Sequence, residues 1–206
     1  TWALEFVKLL VTQPGTGRPL EINEVVELQD RPSQRSRSHQ VLQWISAVNP
    51  VTVRAFMKGE SYAKPSDPRN ISTVGAEHTL RLSAYTYSFK KDTLYERLWY
   101  APGKPPVDVA ERVHVLAQSF DVLSETDFSR FDGTISMWMR DNVERAAYLR
   151  WAHSDVREDL GALLSAEINP RATTSNGLPY QPKASRLSGS PLTTDGNTMI
   201  NAFVSF

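Results

Sequence analysis

Two groups of residues have types and spacings that suit chemistry. Asp127 and Asp132 lie five positions apart in Asp127-Phe128-Ser129-Arg130-Phe131-Asp132, just after the run Phe120-Asp121-Val122-Leu123-Ser124, which reads as a buried strand. Alternation along that strand puts Leu123, Glu125 and Asp127 on one face. A carboxylate at a strand's end can hold Mg²⁺, which prefers oxygen ligands and substrate phosphates. In a two-metal site such an ion activates the attacking oxygen and steadies the leaving one. The second group is Ser188-Gly189-Ser190-Pro191-Leu192-Thr193, running on to Asn197. Ser188 and Gly189 let a backbone come close to a ligand where a larger side chain would collide. Thr193 and Asn197, four apart, share one face of the helix expected there. Each pattern alone also has a plain structural reading. Asp132-Gly133-Thr134-Ile135-Ser136 could cap the helix that follows it, and Ser-Gly-Ser-Pro is by itself an ordinary loop.

Basic residues supply a third feature. Lys58, Lys64 and Arg69 sit on a hairpin-like segment and would face a triphosphate well, lysine as a point charge and arginine as a bidentate fork. Glu60, between them, reads as a partner for a basic neighbour. Arg31, Arg35 and Arg37 fall in a polar stretch, residues 30–39, with no hydrophobic period. It is either a solvated loop or a loop touching template phosphates through arginine, serine and glutamine donors.

The elements that must position these groups follow from pattern. Residues 2–11 are apolar enough for a short helix or strand, and periodicity does not decide. Residues 13–19 form a Gly- and Pro-rich loop and residues 20–28 a short acidic element. A helix is expected over 40–48, stopped near Asn49-Pro50, and a strand over 51–57. Helices are expected over 76–91 and 92–99. A stiff turn follows at 101–106, then an amphipathic helix over 109–118 that feeds the strand before Asp127. Further helices are expected over 135–151, with the Arg140, Glu144, Arg145 face solvated, and over 156–168. Residues 171–186 read as a polar hairpin turning at Asn176-Gly177, with Tyr180 and Lys183 on the surface.

Composition sets bounds. The 206 residues, 40% of them hydrophobic, can bury a sizeable core. With 23 basic and 23 acidic residues, whole-chain charge offers no support for nucleic-acid binding, so only clustering can. Cysteine is absent, which excludes disulfides and thiolate metal sites. His39, His78, His114 and His153 are too scattered for a zinc site. No apolar run approaches the roughly 20 residues of a membrane span, and no signal-peptide pattern opens the chain. The first residue is not Met and Phe206 falls inside an apolar run, so a piece of a longer protein is expected.

Taken together and in order, the three groups resemble the motifs of viral RNA-dependent RNA polymerases of positive-strand viruses, the nodavirus- and tombusvirus-like ones in particular. Lys58-Gly59-Glu60 followed by Pro68-Arg69-Asn70-Ile71-Ser72 is similar to motif F. Asp127 to Asp132 is similar to motif A. Ser188-Gly189, Thr193 and Asn197 match motif B position for position. The resemblance implies an α+β right-hand polymerase fold, with residues 1–119 as fingers and 120–206 as the first part of the palm. It implies template-directed nucleotidyl transfer from NTPs to an RNA 3′ end, with RNA template, primer or product strand, and NTPs as partners. Lys58, Lys64 and Arg69 would bind the nucleotide's phosphates, and Asp127 would be the ligand of Mg²⁺ or Mn²⁺. Asp132 and Asn197 would read the ribose 2′-OH, a hydroxyl that distinguishes RNA from DNA. Ser188 and Gly189 would form a mobile loop beside the templating pair, and Thr193 would join the sugar check. The implied setting is the host cytoplasm, at membrane-associated replication sites reached through regions outside this chain.

One departure matters. The family's second catalytic aspartate lies in a Gly-Asp-Asp turn after motif B, and no such tripeptide occurs in the 206 residues. Asp195 lies inside motif B and cannot replace it. These residues alone are therefore expected to bind Mg²⁺ weakly and not to polymerise. The alternative from another class is a non-catalytic RNA-binding or structural viral protein that keeps a polymerase-like fold. A reverse transcriptase is a weaker alternative, because Asp132 and Asn197 suit a ribose.

Overall fold

The computed structural model describes residues 1–45 and 50–206 of the chain. Helix α1 (Trp2–Leu10) settles the first ambiguity. It buries Ala3, Phe6, Val7 and Leu10, a spacing that makes one stripe on a helix. The Thr1 hydroxyl accepts from the Leu4 amide at 3.4 Å, capping the first turn. Helix α2 (Ile22–Glu27) buries Val25 and Val26 against Leu80 and Ala84.

Helix α3 (Pro32–Val41) corrects the loop expected over 30–39. Proline at its start suits the first helical turn, and polar contacts replace the missing hydrophobic stripe. Ser38 Oγ donates to Gln29 Oε1 (2.8 Å), and the Arg35 guanidinium donates to the Gln29 carbonyl (2.5 Å). The Arg37 guanidinium donates to the Val74 carbonyl at 2.9 Å. Side chains bonding backbone carbonyls leave no periodic apolar signal. Of the helix expected over 40–48, Gln40 and Val41 lie in α3 and Leu42–Trp44 form a 3₁₀ turn. Residues 46–48 of it lie outside the described residues.

A four-stranded mixed sheet comes next, in the order β2-β1-β3-β4. Strands β1 (Thr52–Met57) and β2 (Asn70–Val74) are an antiparallel hairpin, as expected. Strand β3 (Arg171–Thr174) joins β1 in parallel and pairs with β4 (Pro179–Tyr180) across the Asn176-Gly177 turn. Gly177 there has φ +80°, which glycine adopts without strain. The sheet thus joins residues from both halves of the chain. Val53, Val74, Ala172 and Leu187 bury its inner face, and Tyr180 is half-buried there rather than on the surface.

Helix α4 (Ala76–Phe89) ends in a π turn, Lys90–Leu94, where the Tyr95 amide reaches the Lys90 carbonyl at 2.9 Å. Turns follow, so the helix expected over 92–99 is corrected. The Arg97 guanidinium, drawn back onto the Leu9 and Leu10 carbonyls, holds the chain off a helical path. Helix α5 (Pro106–Ser119) forms as expected but has no buried residue. The strand expected before Asp127 does not form. Residues 120–128 form no helix or strand and are exposed, Val122 at 80%. A strand needs a neighbour to satisfy its backbone and cover its apolar face, and among the described residues none pairs with this one.

After α6 (Phe131–Thr134), the stretch 132–136 caps the next helix through Ser136, which accepts from the Met139 amide at 3.3 Å. That helix runs from α7 (Met137–Met139) through a π segment, Arg140–Arg145, into α8 (Ala146–Trp151). Helices α9 (Ser154–Ala166) and α10 (Leu192–Val204) complete the core. The main cluster joins α1, α4, the α7–α8 run, α9 and α10. At its centre Phe89 stacks on Tyr148 (4.0 Å between ring centroids) and meets the Trp151 ring edge-on.

Candidate functional site

The Ser188-Gly189 loop is seated on the hairpin's second strand. The Ser72 amide donates to Ser188 Oγ (2.9 Å), and the Gly189 amide donates to the Ser72 carbonyl (3.0 Å). Both backbone groups of Ser72 are thus satisfied by residues 116 or more positions away. The approach needs glycine, since a Cβ at 189 would lie 2.6 Å from the Ser72 carbonyl oxygen. Behind the loop, Ser190 Oγ donates to the buried Glu167 carboxylate (2.6 Å) and accepts from the Leu192 amide (3.0 Å). His78 Nε2 lies 3.3 Å from the same carboxylate. Thr193 Oγ1 donates to the Leu187 carbonyl (2.9 Å), so its hydroxyl closes the loop from the α10 side. In this structure the loop implied to be mobile is fastened at both ends.

Asp132 and Asn197 meet. Asn197 Nδ2 donates to Asp132 Oδ1 at 2.7 Å, across 65 positions of sequence, and both side chains are half-buried. The Asn197 Oδ1 accepts from Arg186 Nε at 3.0 Å, while the Arg186 amide donates to the Asp132 carbonyl at 2.8 Å. Arg186 in turn forms an ion pair with Glu144, and Arg140 Nη1 pairs with the same carboxylate at 3.0 Å. Arg140 Nε and Nη2 donate to the Ala184 and Ser185 carbonyls, each at 3.0 Å. The helix face expected to be solvated is therefore buried at Arg140 and Glu144, and Arg145 is half-buried against α9. Burial opposes ionisation of Glu144, but the Arg186 and Arg140 guanidiniums overcome it and hold its carboxyl below the usual range. Sequence reading missed Arg186, Glu144 and Glu167. A buried ion pair has no periodicity, and the one signal on offer was an arginine two places before Ser188-Gly189.

The basic hairpin residues are pre-paired. Glu60 accepts from Lys58 Nζ (2.5 Å) and from Arg69 Nε (2.8 Å), with Arg69 Nη2 closing a bidentate pair. Arg69, then Lys58, pull the Glu60 carboxyl down to about 2. This bears out the reading of Glu60 as a partner. Lys64 is exposed, and among the described residues it makes no ion pair. Arg31 starts α3 as its cap residue, and its side chain is exposed. Arg35 and Arg37 have the carbonyl partners already given.

Asp127 is exposed on that irregular segment, and among the described residues no ion pair or side-chain hydrogen bond involves its carboxylate. An exposed pair, Arg130 with Asp67 (2.8 Å), links the stretch after it to the hairpin loop. Asp127 fits one ligand of a hard divalent cation, which takes one or two carboxylates plus phosphates. No group of three acidic, histidine or cysteine residues among the described residues makes a closed metal cage.

Comparison with known proteins gives the family. The family model of viral RNA-dependent RNA polymerases matches residues 49–205, and the chain belongs to that family. It is 43% identical over 203 residues to the RNA-directed RNA polymerase of Pariacoto virus. The matches to those of Atlantic halibut nervous necrosis virus and Flock house virus are 46% and 31% identical. These alignments cover 98–99% of this chain and 20–21% of each relative, so the chain spans about a fifth of their length. Among the described residues, no helix is long and apolar enough to cross a membrane.

Proposed function

We propose that the chain forms the fingers (residues 1–119) and the first part of the palm (residues 120–206) of a right-hand RNA polymerase that transfers nucleotides from NTPs to an RNA 3′ end. The Asn197–Asp132 contact is the observation that carries this reading. A carboxylate acceptor and an amide donor, held together and half-buried, match the donor and acceptor of a ribose 2′-OH. The hydroxyl binds beside the pair, donating to the Asp132 carboxylate and accepting the second N–H of Asn197 Nδ2. Lys58, Lys64 and Arg69 neutralise the triphosphate, which displaces Glu60 from the two residues it holds. The 3′-oxygen of the growing strand attacks the α-phosphorus, and the bond to the pyrophosphate oxygen breaks. Asp127 is the ligand this chain gives to Mg²⁺ or Mn²⁺, and when bound the ion supplies charge neutralisation at the phosphates. Arg31 and the exposed rim of α3 face template phosphates.

The test uses a complete polymerase containing these residues. Asp127→Ala abolishes template-directed NTP incorporation and leaves RNA affinity within about twofold, since affinity for the RNA backbone comes from basic side chains. Undiminished synthesis by Asp127→Ala refutes the catalytic reading. A parent protein that binds RNA and never incorporates NTPs is the non-catalytic alternative.

A further inference from the structure

We propose that Arg186 is a positioning residue for sugar selection: it fixes the Asn197 amide so that its NH₂ faces Asp132 and the ribose. The inference rests on the polymerase reading above. An asparagine amide presents either its oxygen or its nitrogen to a site, and only the nitrogen can donate to a ribose hydroxyl. Arg186 Nε, a donor that never deprotonates in a protein, sits 3.0 Å from Asn197 Oδ1 and so excludes the flipped amide. The same residue's backbone amide grips the Asp132 carbonyl at 2.8 Å, so one residue sets both walls of the sugar site.

Three further observations show the arginine is built in. Its side chain is fully buried, and its partner Glu144 is 3% exposed. Glu144 is itself held by Arg140, which is tied to the Ala184 and Ser185 carbonyls just before Arg186. Gly196, next to Asn197, makes room for the pair, since a Cβ there would lie 2.5 Å from Glu144 Oε2 and 2.6 Å from Arg186 Nη2. Stability does not explain the arrangement. Arg186 Nη1 has no hydrogen-bond partner among the described residues, and apolar residues often replace a buried ion pair at no cost. What apolar residues cannot do is orient an amide.

The experiment measures kcat/KM for an NTP and its dNTP in the complete polymerase, for the parent, Arg186→Lys, Asn197→Ala and the double variant. Lysine keeps the charge facing Glu144 and removes the Nε donor. The expected result is a fall of about tenfold in the NTP to dNTP ratio, the worth of one hydrogen bond made to the reacting nucleotide. Because Arg186 acts through Asn197, Arg186→Lys added to Asn197→Ala lowers the ratio no further. Parallel loss of NTP and dNTP incorporation makes Arg186 a structural residue and overturns the proposal, as does a full multiplicative effect in the double variant. Gly196→Ala, which pushes a methyl into the guanidinium's place, must lower the same ratio, and an unchanged ratio also overturns it. A parent that incorporates neither nucleotide refutes the polymerase reading instead, a different result from parallel loss in the variant alone.

Discussion

Gly189→Ala tests the junction between the hairpin and the motif B loop. The new Cβ would sit 2.6 Å from the Ser72 carbonyl oxygen and 3.3 Å from Thr73 Cα, both backbone atoms of a paired strand. Neither can swing aside as a side-chain tip could. Overpacking of this kind costs about 1–3 kcal/mol. Separating the loop also strains the Gly189-to-Ser72 and Ser72-to-Ser188 hydrogen bonds, each worth about 0.5–1.5 kcal/mol net. Against this, replacing glycine removes freedom from the unfolded chain, a gain of about 0.4–1 kcal/mol where the backbone conformation suits alanine. The steric and hydrogen-bond losses win, leaving a deficit of about 1–5 kcal/mol. For a chain of this size each kcal/mol lowers the melting temperature by roughly 2–4 °C. Calorimetry should therefore show a drop of several degrees, and hydrogen exchange should show the Ser72 and Gly189 amides losing protection together. A variant that melts with or above the parent, with Ser72 still protected, would refute the close packing argued here.

The other predictions concern charge and packing. The Glu60 carboxyl titrates near 2 instead of its ordinary 4.5 because Arg69, then Lys58, hold it ionised. A depressed carboxyl supports the hairpin above its ordinary range and loses that support as pH falls through about 2; carbon-detected NMR reads the midpoint, and a value near 4.5 sinks the pairing. Glu60→Gln frees both cations and should bind inorganic triphosphate severalfold more tightly at low salt, an advantage that shrinks as salt rises. Unchanged affinity would mean that Lys58 and Arg69 do not meet phosphates. Glu144→Ala leaves two buried guanidiniums without their carboxylate and should cost about 3–5 kcal/mol in urea unfolding; a loss below 1 kcal/mol would place the pair in water. Gly17→Ala would drive a Cβ to 1.9 Å from the buried Trp151 ring, with the Gly17 backbone pinned at 2.8 Å to both Trp151 and His153. It should lower the melting temperature more than Gly189→Ala does.

Local rules carried the sequence reading wherever the cause of structure was local. The β1–β2 hairpin, the Asn176-Gly177 turn and α10 each follow from alternation, turn chemistry or helical spacing within a few residues. The residues at 132, 188, 189, 193 and 197 stood out because their spacing carries the family resemblance; that resemblance, not the spacing, grouped Asp132 with Asn197, and the two side chains lie 2.7 Å apart. Where sequence reading failed, the cause was a polar contact or a distant partner. Helix α3 is held by bonds to Gln29 and to the Val74 carbonyl, which no apolar period announces. Residues 120–128 have the composition of a strand, but alternation creates only the demand for a partner, and no described strand meets it.

The sequence by itself determined which groups are available: the carboxylates, the basic hairpin, the glycine beside the loop and the amide on α10. Tertiary structure alone decided how they are held. Arg186, Glu144 and Arg140 are ordinary charged residues in one dimension, and the sequence reading put Arg140 and Glu144 in water. Packing buries all three, and burial obliges each charge to find its opposite. That obligation orients Asn197, and it arises only when chain segments far apart in sequence exclude water from the same place.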